Sequence, residues 1–61
     1  MPRFTVCFDG EPQGEYTLDE LCEVNAEGAP ELCEWMRRAA VGEVRVEGGG
    51  ASPIVITQRV E

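Results

Sequence analysis

The sequence predicts an α+β fold in a single domain, residues 1–61: a small antiparallel sheet with one or two helices packed on one face, in the order ββααββ. Three observations carry this. Pro30 to Val41 repeats its apolar residues at helical spacing, residues 3–8 and 43–47 alternate with a period of two, and Gly- and Pro-rich stretches mark where one period gives way to the other.

Arg3 to Phe8 places Phe4, Val6 and Phe8 on one face and Thr5 and Cys7 on the other, the pattern of a half-buried strand. Asp9 to Gly14 is dense turn chemistry, with Pro12 suited to the second turn position and Gly14 able to take positive φ. The spacing therefore predicts a hairpin into a short second strand over Glu15 to Leu18. Thr17 and Glu20 then form a capping box, in which hydroxyl and carboxylate satisfy backbone donors reciprocally, so a short helix is expected from Leu18 to Val24 and an end at Asn25.

The second helix is the organising segment. Leu32, Trp35, Met36 and Ala39 lie at i, i+3, i+4 and i+7 and make one apolar stripe; Glu31, Glu34, Arg37 and Arg38 fill the remaining circumference. Pro30 suits the first helical position and Gly42 the left-handed residue after the last turn, while acids before arginines follow the helix dipole. Beyond Gly42, Val44 and Val46 alternate with Glu43, Arg45 and Glu47. Gly48 to Pro53 reads as a flexible connection, and Ile54 to Val60 is the most β-prone run. Arg45 and Arg59 are expected to face Glu43 and Glu47 across this hairpin.

The core expected from these patterns is Phe4, Val6, Phe8, Tyr16, Leu18, Leu21, Leu32, Trp35, Met36, Val44, Val46, Ile54 and Ile56. A chain of this length buries only about 60% of its unfolded surface, so stability is marginal and a partner or second copy helps.

Twelve acids stand against five arginines, with no lysine and no histidine, for a net charge of −7. Direct binding to nucleic acid or to an anionic membrane needs a basic patch and is disfavoured; a basic protein surface is the favoured partner. No apolar run approaches the roughly 18 residues of a spanning helix, and the expected location is the cytoplasm. Cys7, Cys22 and Cys33 form no C-x-x-C pair and have no histidine to complete a zinc site; they read as buried thiols of a reducing compartment, with no metal and no cofactor. Gly48 to Ser52 leads into Pro53 and a strand, whereas a phosphate loop leads into a helix and usually carries a lysine. Without histidine as a base, and in a chain too short to build a deep cleft, an enzyme is not expected.

What remains is surface. Asp19, Glu20, Glu23, Glu27, Glu31 and Glu34 are concentrated in sixteen residues of the helical side. Carboxylates three or four residues apart on a helix stand about 5–6 Å apart at Cβ. Such an array competes with nucleic-acid phosphates for an arginine- and lysine-lined channel, and opposite fields speed the encounter. The acids also read as a solvated face that keeps a small domain soluble, and Arg37 and Arg38 interrupt them, so a protein that combines acidic contacts with a particular shape is expected before a complete DNA mimic; the six acids are its expected partner contacts.

In size, acidity, lack of catalytic residues and a Gly42-Glu43-Val44-Arg45-Val46 strand directly after a helix, the chain resembles the small single-domain proteins of phages and mobile elements, among which anti-CRISPR inhibitors are best known. No functional residue is carried over from that group. The resemblance implies stoichiometric inhibition of a host nucleoprotein effector, a CRISPR effector complex among them, by blocking access to target DNA or recruitment of a nuclease. The alternative expectation is a homodimeric structural or regulatory module whose interface is the sheet edge or the Trp35 helix.

Overall fold

The computed structural model describes all residues from Met1 to Glu61. It contains β1 (Arg3–Phe8), β2 (Glu11–Thr17), α1 (Leu18–Asn25), α2 (Pro30–Arg38), β3 (Val44–Gly49) and β4 (Ser52–Arg59). The four strands form one antiparallel sheet in the order β2-β1-β4-β3, which is the expected ββααββ arrangement. No helix is long and apolar enough to cross a membrane.

The first hairpin is tighter than its composition implies. Phe8 pairs with Glu11, so the loop is Asp9-Gly10 alone, and both residues have positive φ (53° and 89°), as a type I′ turn requires. Pro12 and Gly14 therefore lie inside β2 and not in the turn. They accompany a bulge: Val6 pairs with Gly14 and Cys7 with Pro12, leaving Gln13 as the extra residue. Pro12 is tolerated because β2 is an edge strand.

Thr17 caps α1 as expected, and the helix runs one residue past Val24 to Asn25, whose side-chain amide donates to the Leu21 carbonyl at 2.8 Å. Helix α2 begins with Pro30 at its first turn but stops at Arg38, before the expected Val41. Ala39 is already extended (φ −65°, ψ 139°), and its carbonyl accepts a hydrogen bond from the Arg59 guanidinium. Gly42 has positive φ but serves the turn into β3, where its N–H donates to the Arg59 carbonyl at 2.7 Å. Arg59 is thus engaged with backbone and not with an acid, and Arg45 pairs along its own strand with Glu47, at 2.7 Å, and not across the hairpin.

The second hairpin is closed by Gly50-Ala51, and here a glycine is sterically required. A Cβ on Gly48 (φ 91°) would lie 1.9 Å from the Pro53 carbonyl oxygen.

The core is smaller than the thirteen residues the pattern proposes. Phe4, Cys33, Trp35, Met36 and Ala39 are buried, with Leu18, Leu21, Cys22 and Leu32 packed around them. Phe8, Val44, Val46, Ile54 and Ile56 are exposed. For the four β3 and β4 residues the alternation is right but the side is reversed. Register places Phe4 opposite Arg59 and Val6 opposite Thr57, so it is Thr57, 3% exposed, that turns toward the helices. Cys7, Ile56 and Val46 lie abreast on the other face, as do Thr5, Gln58 and Val44. Phe8 shares the parity of Phe4 but sits at the strand end, beside the turn. Trp35 itself is core and not a surface anchor: it is 7% exposed and its ring packs on Phe4 at 6.1 Å between centroids, tilted 54°.

Truncating the fully buried Met36 to Ala leaves a cavity between helix and sheet and is expected to lower stability by ~2–5 kcal/mol in urea unfolding. Val46→Ala, on an exposed side chain, should fall within ~0.5 kcal/mol of wild type when unfolding is followed in dilute solution. Gly48→Ala should lose at least ~1–2 kcal/mol, since the Cβ meets backbone that cannot swing aside.

Candidate functional site

Two stripes of identical spacing build the groove between the helices. Asp19, Cys22, Glu23 and Ala26 stand at i, i+3, i+4 and i+7 from α1 onward; Pro30, Cys33, Glu34 and Arg37 repeat the spacing on α2. Side chains at these intervals share a helix face, and the contact of α1 with α2 sets the two stripes opposite each other, with Cys33 hydrogen-bonded to the Cys22 carbonyl across them. The groove has a volume of about 380 Å³ and is open to solvent.

Of the six expected contacts the structure brings together three, Asp19, Glu23 and Glu34, on the groove walls. Glu20 is diverted into the capping box: the Thr17 N–H donates to its Oε1 at 2.9 Å, and its own N–H donates to Thr17 Oγ1 at 3.2 Å. Glu27 lies in the turn between the helices and Glu31 on the first turn of α2; both are exposed and stand outside the groove. All six acids are exposed.

The six expected contacts do not include Arg37, expected only to interrupt the acids, or Cys22 and Cys33, although the shared 0, 3, 4, 7 spacing carried the signal. Arg37 places one positive charge among the three acids. Cys33 is buried and its Sγ donates to the Cys22 carbonyl at 3.7 Å. Burial, with the Cys33 thiol and the Asp19 charge adding, pushes the Cys22 thiol up to about 11, so it remains protonated at neutral pH and is a poor nucleophile. No three His, Cys, Asp or Glu side chains are arranged to hold a metal ion. The groove therefore offers charge and hydrogen-bond acceptors to whatever enters it.

A second depression of about 410 Å³ lies between α1 and the β1–β2 hairpin, lined by Val6, Tyr16, Leu21 and Val24 together with Gln13, Glu20 and Asn25. The Tyr16 hydroxyl is already committed to the Gln13 carbonyl, at 2.8 Å.

Fold and site together define a small α+β domain with an acidic helical layer. Comparison with known proteins finds no matching family model, no matching curated protein and no matching solved structure.

Two carboxylates are tuned by the fold. The Thr17 N–H, then the Thr17 hydroxyl and the charge of Arg3, hold Glu20 below its ordinary value of 4.5. The Ala40 N–H, then the Trp35 indole N–H and the charge of Arg38, do the same for Glu43. A carboxyl lowered on folding adds stability that is complete above its unfolded value and is lost as pH falls through its folded value. The stability advantage of wild type over Glu43→Gln, measured by urea unfolding at neutral pH, should therefore vanish as pH is taken down through and below 4.5, with Trp35 emission changing over the same interval.

Proposed function

We propose that this chain is a non-enzymatic inhibitor that acts in the cytoplasm by seating its acidic helical layer on a basic, nucleic-acid-binding surface of another protein. One observation carries the reading. Asp19, Glu23, Glu27, Glu31 and Glu34 make no ion pair or side-chain hydrogen bond within the chain, whose only two ion pairs are Arg3–Glu15 and Arg45–Glu47 on the strands. Their field is thus left open to solvent, where it accelerates encounter with an opposite charge and repels nucleic acid and anionic membranes.

The groove gives the layer shape as well as charge. Asp19, Glu23 and Glu34 line it from two helices, and Arg37 supplies one cation among them, so a partner must match a pattern of signs. The narrower form of the proposal is a phage- or mobile-element-encoded inhibitor of a host defence complex, with a CRISPR effector as the first complex to test. Occupation of its nucleic-acid channel by carboxylates excludes the target strand by competition.

The test is capture of purified CRISPR effector complexes by immobilised wild type beside a variant with Glu23, Glu27, Glu31 and Glu34 all replaced by Gln. Wild type should retain an effector and block its DNA binding, with affinity falling by more than about tenfold as salt is raised from about 50 to 200 mM. The Gln variant should retain none. Equal retention by both proteins would refute the acidic layer as the working surface.

A further inference from the structure

The face of the sheet turned away from the helices is apolar and uncovered. Register sets Val46, Ile56 and Cys7 side by side across β3, β4 and β1, with Val44 and Ile54 two residues to either side and Val60 just past the end of β4. Their exposure is high for aliphatic side chains in a sheet: 62% for Val46, 48% for Val44, 43% for Ile54. Helical packing cannot explain these residues, because both helices lie on the opposite face with Phe4 and Thr57.

We propose that this face is the interface with a second copy of the chain, two sheets packing face to face about a two-fold axis. Three features select that occupant. The first is charge. The charged side chains on the strands of this face are Arg3 and Glu15, which join each other at 3.1 Å; only Asp9, whose carboxylate accepts from the Ile54 N–H at its edge, adds a charge, so the surface is close to neutral in a molecule of net charge −7. A partner of either sign gains nothing here. A second copy gains apolar contact while both acidic helical layers stay on the outside, far from each other.

The second feature is shape. None of the three depressions of the molecule is lined by Cys7, Val44, Val46, Ile54, Ile56 or Val60, so the face holds no pocket for the anchoring side chain of a peptide. Aliphatic side chains of similar length on a twisted sheet are complementary to another sheet, about 10 Å away. The third is area. The exposed aliphatic groups offer on the order of 400 Å² per copy, and with flanking Thr5, Gln58 and backbone the two copies together bury ~1,000 Å², the lower bound of a specific interface. An isologous contact also needs no second binding surface, since each copy supplies the same residues.

Sedimentation equilibrium from about 1 µM to 1 mM, at low and at high salt, tests this. Wild type should double its mass with rising concentration and keep the dimer at high salt. Val46→Glu should stay monomeric over that range with wild-type circular dichroism and Trp35 emission. Cys7 gives a second reading on the unaltered chain: its alkylation should slow as concentration rises, while that of a small reference thiol in the same solution should not change. A wild type that stays monomeric overturns the proposal, as does a Val46→Glu variant that still dimerises or a Cys7 rate indifferent to concentration. None of these outcomes depends on the acidic layer having a partner.

Discussion

Trp35 buries the largest side chain of the molecule but brings an indole N–H with it, and that donor must find an acceptor inside the fold. Glu43 supplies it. Its Oε2 accepts from the indole nitrogen at 3.0 Å and its Oε1 accepts from the Ala40 N–H at 3.1 Å, so one carboxylate fastens the helix and the chain leaving it to the base of β3. With Trp35 fixed against Phe4, Met36 and Ala39 are driven into the sheet, and the Ala39 carbonyl meets Arg59. The early end of α2 follows from the same contacts. Continuing the helix to Val41 would carry Ala40 away from Glu43 and the Ala39 carbonyl away from Arg59.

That constraint also explains which parts of the fold were legible beforehand. Element order, the Thr17 cap and the Pro30 start depend on neighbours in sequence, and they stand as the local chemistry implies. The side to which each strand turns does not. In β1 both parities carry apolar groups, Phe4 and Val6 on one and Cys7 on the other, and in β4 the stronger apolar residues, Ile54 and Ile56, have the parity that faces away from the helices. Period two reveals that residues share a face but is silent on which face is covered. Only the register with Phe4 decides it. Pro12 and Gly14 illustrate a related ambiguity, since the residues that favour a turn also favour an edge-strand bulge.

The site was legible to a similar depth. Composition located the acids, and the Thr17–Glu20 box already implied that Glu20 had a structural duty. What sequence spacing could not supply was the facing of two stripes from different helices, which places Asp19, Glu23 and Glu34 around Arg37 and leaves Glu27 and Glu31 apart. The result is a molecule with its charge and its apolar surface on opposite sides of a single sheet, separated by a core of five residues.

The strand order β2-β1-β4-β3 places the two local hairpins side by side and joins them through β1 and β4, the first and last strands. Each hairpin closes over a two-residue loop and forms on a microsecond scale, but the seam between them, Phe4 with Arg59 through Phe8 with Val55, spans nearly the whole chain. Both hairpins can therefore assemble before the sheet exists, and the folding rate is set by how soon that seam meets. On the ribosome the seam waits for Arg59, and until then Phe4 has no finished layer to enter.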